Sequence, residues 1–149
     1  MKYNTEISIN LPREKVLELF LNTDHLKQWQ PGLLSFTHLE GEQGEEGSRS
    51  ELIFEGRKGE LVMTETISLK QLPEIIHMKY RSRGVNNDVK NRFTEQEAGV
   101  TLWQIENLFR FKGIMMFMIP FMKHDFIHNT MLNMDRFKVF AEYGGNKEN

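Results

Sequence analysis

The sequence predicts an α+β domain in which a seven-stranded, curved antiparallel sheet wraps around a long C-terminal helix. Two short helices lie between strands 1 and 2. Three observations predict it. Seven segments carry the two-residue alternation of half-buried strands, and the reversals between the last six are short and rich in glycine, asparagine or proline. The last thirty-odd residues instead repeat apolar side chains at helical spacing, and six of the nine methionines fall there.

The first strand covers 3–9, where Thr5, Ile7 and Ile9 alternate with Glu6, Ser8 and Asn10. Pro12 then opens a helix, because its fixed φ suits a first helical turn. Glu14 complements the dipole there, and Val16, Leu17 and Phe20 form the buried stripe. A second short helix restarts at Asn22, Thr23 or Asp24, turns Leu26 and Trp29 inward and stops at Pro31 and Gly32. Six strands follow, over 33–39, 48–55, 60–70, 75–83, 88–94 and 100–112. Connections this short make neighbours antiparallel. The remaining helix, about 45 Å long at 1.5 Å per residue, presents Met115, Met118, Met122, Asn133 and Phe137, flanked by Phe126, Thr130, Phe140 and Ala141. A lone helix of that length covers one face of the sheet, which curls around it. Pro120 lacks the donor for a helical hydrogen bond, so 114–121 is expected as a kinked or separate segment, a gate beside the glycine-spaced loop 41–47.

At 149 residues the chain is one domain's worth, expected over 1–145 with a disordered tail at 146–149. The absence of cysteine excludes thiol nucleophiles, disulfides and thiolate metal sites. A net charge of −2, without basic clusters interleaved with aromatics, gives no footprint for nucleic acid. The alternating N-terminus reads as neither signal peptide nor anchor, and the apolar run 113–122 is about half a bilayer span, so no integral membrane segment is expected and the location is read as cytoplasmic. His124 and His128 share a helix face, but no third ligand is placed and HDFIH lacks the zinc-protease glutamate, so no metal and no cofactor are expected. No serine stands on a Gly-x-Ser-x-Gly elbow. The loop of Gly41, Gly44 and Gly47 is rich in glutamate and would repel phosphate, which suits it better to a flap at a cavity mouth.

The element order, with INLPREKVLELFLNTDHLKQWQPG, the loop LEGEQGEEGS, the strand LVMTETI and the ending FKGIMMFMIPFM…FKVFAE, resembles the START-like, or SRPBCC, superfamily over nearly the whole chain. That superfamily includes polyketide cyclase/dehydrase-like and lipid-transport-like proteins. The matching motifs are structural. The resemblance therefore implies the helix-grip fold, with a deep apolar cavity between sheet and C-terminal helix, and leaves activity open.

Alternation names the side chains that look into such a cavity. On strand 60–70 these are Leu61, Met63, Ile67 and Leu69, with Glu65 on the same face; a carboxylate there must be paired, hydrated or protonated. Glu65 is accordingly the first candidate for an acid/base or a ligand anchor, the alternatives being a twist that brings it to water or a structural ion pair. Thr101, Trp103, Ile105, Asn107, Phe109 and Phe111 face inward from the last strand, Val89, Asn91 and Phe93 from the strand before, and Ile76, Met78 and Tyr80 from its neighbour. Glu65, Tyr80, Asn91 and Asn107 can form a polar cluster that satisfies itself or holds a polar ligand head. His38 shares a face with Leu34 and Phe36 and can reach the cavity, whereas His25 and His77 are read as surface residues. A volume of about 300 to 1,000 Å³ is expected, bordered by Met63, Ile67, Met78, Trp103, Phe109, Met118 and Met122.

The reading that follows is a domain binding a small hydrophobic molecule such as a lipid, polyketide or isoprenoid-like compound. One alternative is a cyclase, dehydratase or isomerase using Glu65 as acid/base, with Asn107, Asn91 or Tyr80 stabilising an enolate-like oxygen. Another is a protein-interaction module of co-chaperone type, with the Met-rich helix as docking face and a second copy of the chain as one candidate partner.

Overall fold

The computed structural model describes residues 1–144, and the tail expected at 146–149 lies outside them. Strand β1 (Lys2–Ile9) leads through Pro12, which caps α1 (Arg13–Leu21), to a 3₁₀ turn (Thr23–His25) and α2 (Leu26–Trp29). Six strands follow: β2 (Leu33–Glu40), β3 (Arg49–Gly56), β4 (Gly59–Gln71), β5 (Ile75–Ser82), β6 (Val85–Glu97) and β7 (Val100–Phe111). Every neighbouring pair is antiparallel, in the order β1-β7-β6-β5-β4-β3-β2. The chain thus runs as a meander from β2 to β7, and β1 returns to the far edge beside β7.

The sheet is bent where extra residues interrupt the ladders, between Leu33 and Ser35, His38 and Glu40, Ile67 and Leu69, and Glu95 and Glu97. Each bulge sharpens the local twist and curls the sheet into a trough. The bulge at Ser68 also reverses the phase of β4. Before it, Ile67 pairs with Met78 on the inner face; after it, Leu69 pairs with His77 and Lys70 with the buried Ile76. Leu69, expected inside, therefore points outward, and Lys70 turns in to bond the Gly44 carbonyl at 2.7 Å.

The long C-terminal helix comes in pieces, and its first turns form a separate segment, as expected for 114–121, although the break falls before Pro120. Gly113 takes φ +65°, which turns the chain out of β7, and Gly113–Met118 form a 3₁₀ segment before α3 (Ile119–Val139). Pro120 stands in the first turn of α3, where its missing donor costs nothing. At 21 residues α3 spans about 31 Å. It ends in a wider π turn, Phe140–Gly144.

One end of the trough is packed solid. Phe137 is fully buried, with ring centroids 5.0 Å from Trp29, 5.3 Å from Trp103 and 5.9 Å from Phe20, and Phe93 stacks on Trp103 at 5.9 Å. These rings join α1, α2 and the C-terminal half of α3 to the sheet. The N-terminal half of α3 buries far less, and the space beneath it is the site.

Candidate functional site

A cavity of about 340 Å³ lies between the inner face of the sheet and α3. Of the residues expected at the site, Met63, Glu65, Ile67, Met78, Tyr80, Asn91, Trp103, Asn107 and Phe109 line it. Met118 and Met122 do not. Gly113 and the 3₁₀ segment shift the phase of the chain ahead of α3, so Met118 is 47% exposed and α3 reaches the cavity through Phe126, Asn129, Thr130, Asn133 and Met134 instead. Gln43 and Gly44 of the loop 41–47 border the opposite end, and Gln43 reaches Thr23 at 3.4 Å. His38 stays outside, its Nε2 within 2.7 Å of the Gly41 carbonyl. Exposed His124 and His128 have no third ligand: among the described residues no group of three metal-ligating side chains stands together.

An aromatic wall closes the side toward β1. Phe126 of α3 stacks on Phe109 at 4.8 Å and on Phe111 at 5.8 Å, and Tyr3 stacks on Phe109 at 6.0 Å. The Tyr3 hydroxyl lies 2.7 Å from Thr130 Oγ1 and donates to the Phe126 carbonyl, pinning α3 to the edge strand. Burial raises the Tyr3 phenol pKa, partly offset by the bond to Thr130.

The polar residues do not form the single cluster the sequence suggested; they separate into pairs. Register brings Ser50, Glu65, Tyr80, Asn87 and Phe109 into one row across β3 to β7. Within it the Tyr80 hydroxyl donates to Glu65 Oε2 at 2.7 Å and lies 3.2 Å from Met78 Sδ. No ion pair reaches Glu65 among the described residues. Burial raises its carboxyl pKa, against the lowering effect of the Tyr80 bond. Burial, then the negative charge of Glu65 and the bond to it, push the Tyr80 phenol well above its usual range. The pair thus offers a carboxyl inclined to hold its proton and a phenol that stays protonated.

Asn91 is committed, its Oδ1 accepting from Trp103 Nε1 at 3.0 Å in the packed end. Asn107 is not fully used. Asn87 Nδ2 donates to Asn107 Oδ1 at 3.2 Å, leaving Asn87 Oδ1 and Asn107 Nδ2 buried without partners among the described residues. Flipping both amides still leaves one donor and one acceptor over, so the shortfall holds whichever atom is the oxygen. Trp29 Nε1, at the packed end of the lining, has no partner among the described residues either.

Ser50, Asn87 and Tyr3 escaped the sequence reading, which set Thr130 beside the apolar face of the final helix but not among the site residues. Asn87 carries on the alternation of Val89 and Asn91, but the strand was expected to begin at Asp88, so it passed for a turn residue. Ser50 alternates with Leu52 and Phe54, and that was the available signal.

No protein-family model matches the sequence, and no curated protein matches it. Solved structures do match in shape. A START superfamily protein from Mycobacterium smegmatis superposes with a TM-score of 0.78 at 12% identity, over 95% of this chain and 97% of its own. The ZhuI aromatase/cyclase from Streptomyces sp. R1128 gives 0.78 at 13%, over 95% and 93%. Truncated norcoclaurine synthase from Thalictrum flavum gives 0.72 at 10%, over 95% and 92%. At such identities the likeness establishes the helix-grip fold that the sequence resemblance implied.

Proposed function

We propose that this protein binds a small, largely apolar molecule carrying a polar group, in the cavity between the sheet and α3. The observation that carries the reading is the unspent hydrogen-bonding capacity inside a mainly apolar cavity. An amide donor and an amide acceptor, Asn107 Nδ2 and Asn87 Oδ1, stand by the Tyr80–Glu65 pair with no partner among the described residues. A buried polar group left unpaired costs about 1–3 kcal/mol, and a ligand oxygen that accepts from one amide while a hydroxyl donates to the other removes that cost. At about 340 Å³ the cavity falls at the small end of the range that holds drug-sized ligands, about 300–1,000 Å³. A START superfamily protein built on the same frame is further support.

Native mass spectrometry of the protein purified from its own host tests this directly. An apolar adduct of one defined mass is expected, and Asn107→Leu should deplete it. The reading fails if no adduct is retained and no apolar probe titrates into the folded protein.

A second reading, catalysis, has its own observation. A carboxyl whose pKa is raised by burial, held by a phenol that remains a donor, is suited to proton transfer. Glu65 would move the proton and Tyr80 would orient it. An aromatase/cyclase and a norcoclaurine synthase of the same fold are consistent with this use of the frame. Once a ligand is known, the discriminating experiment is its fate on incubation: recovery unchanged supports a binder, and conversion that Glu65→Gln abolishes supports an enzyme.

A further inference from the structure

The 3₁₀ segment between β7 and α3, with the first turn of α3, presents its large apolar side chains to water. Ile114, Phe117 and Phe121 are 79%, 80% and 81% exposed, with Met116 and Met118 more than or nearly half so. This is the reverse of what a Met- and Phe-rich stretch does in a core, and scattered exposure does not explain five such residues within eight positions.

The surroundings of the segment are basic. Lys112 immediately precedes it and donates its backbone N–H to the Gly84 carbonyl at 3.0 Å, and Met115 packs over Gly84, so the β5–β6 turn with Arg83 lies alongside. The β3–β4 hairpin reaches beyond that turn: Thr64 already pairs with Arg81 and the Val62 carbonyl accepts from the Ser82 hydroxyl, leaving residues 59–61 and the tip, Arg57 and Lys58, to overhang. Lys123 stands in the first turns of α3. All five cations are exposed, and none is engaged in an ion pair among the described residues. Against them stand Glu55, Glu60 and Asp125, a local balance of 5 − 3 = +2 in a chain of net charge −2, which leaves −4 for the remainder. The charge distribution therefore orients this end toward a negative surface.

We infer that this end docks on an anionic lipid surface, with Ile114, Phe117 and Phe121 entering the headgroup and acyl boundary and the basic rim of Arg57, Lys58, Arg83, Lys112 and Lys123 lying over the phosphates. Aromatic and aliphatic side chains framed by Lys and Arg are the composition that settles in that interface. A second copy of the chain fits the patch less well. A two-fold interface sets the same surface against itself and would bring the basic rim onto its own image. Docking stands apart from ligand binding, because vesicle partition needs no ligand and either can fail alone.

The test uses the full chain and flotation with vesicles of phosphatidylcholine alone or with about one-third phosphatidylglycerol. Partition onto the anionic vesicles is expected, weak on the neutral ones and suppressed at high salt. Arg83→Gln with Lys112→Gln should lower it by about tenfold or more, as two basic residues near such a surface do. Phe117→Ser with Phe121→Ser should lower it at least as far. Both pairs are exposed, so an unchanged thermal midpoint separates lost docking from lost folding. Absence of wild-type partition, or partition unchanged in both double variants, overturns the inference. So does a dimer in sedimentation velocity that Phe117→Ser with Phe121→Ser dissociates, which would assign the patch to a second copy.

Discussion

Replacing Glu65 by glutamine tests whether its carboxyl is a stability liability kept for use. The side chain lies inside the cavity; among the described residues its one hydrogen bond is the 2.7 Å donation from Tyr80, and no ion pair reaches it. A hydrogen bond to a charged group is worth about 1.5–3 kcal/mol, whereas removing a carboxylate from water costs several, so the ionised form carries a net penalty of order 1–2 kcal/mol. The folded-state pKa is raised, meaning the folded protein binds this proton more tightly than the unfolded chain. The stability linked to that proton is present below the ordinary carboxylate range and lost as pH rises through the folded pKa. Glu65→Gln keeps the acceptor for Tyr80 and cannot ionise. It should match wild type near pH 4 and exceed it by about 1 kcal/mol near pH 8, or about 2–4 °C in Tm for a domain of this size. Thermal unfolding followed by circular dichroism across that range reads the difference. Tyr80→Phe supplies the second leg of a double-mutant cycle: about 2 kcal/mol lost at pH 8 with Glu65 present, and about 1 kcal/mol or less in the Glu65→Gln background. A Glu65→Gln difference that does not vary with pH, or a loss of more than about 1 kcal/mol at pH 8, would refute the reasoning and make Glu65 a structural group.

Three further outcomes are expected. Asn107→Leu alone should cost about 1–2 kcal/mol in urea unfolding because it strands Asn87, whereas Asn87→Val with Asn107→Leu should be near neutral yet weaken displacement of an apolar fluorescent probe by polar-headed competitors. Phe137→Ala, at the centre of the Phe20, Trp29 and Trp103 contacts, should cost about 3–5 kcal/mol by the same measurement. Gly113→Ala should cost about 1 kcal/mol from backbone strain alone, since φ is +65° and no atom lies within 4 Å of the added methyl; a thermal midpoint equal to wild type would show that the turn relaxes.

The two-residue alternation of seven segments, and the glycine, asparagine and proline between the last six, were enough by themselves to identify seven strands and, on β5, β6 and β7, the inward faces carrying Met78, Tyr80, Asn91, Trp103, Asn107 and Phe109. They suffice because side-chain direction along a strand is a local property. What lies between strands is not local. One extra residue at Ser68 sent Leu69 outward and Lys70 inward, and the chain neighbours of Ser68 do not announce it, because a bulge is decided by the partner strand. Which polar groups meet was likewise settled by register: Tyr80 lies directly opposite Glu65, and Asn107 turned to Asn87 rather than to Asn91, which went to Trp103. The helical spacing from Met115 to Met122 was real in the sequence, but the left-handed Gly113 and the 3₁₀ segment shift its phase and displace Met118 and Met122 from the cavity. Met116, Phe117, Met118 and Phe121 lie at the surface because the sheet ends before they begin, and the end of a sheet is a property of the assembled trough.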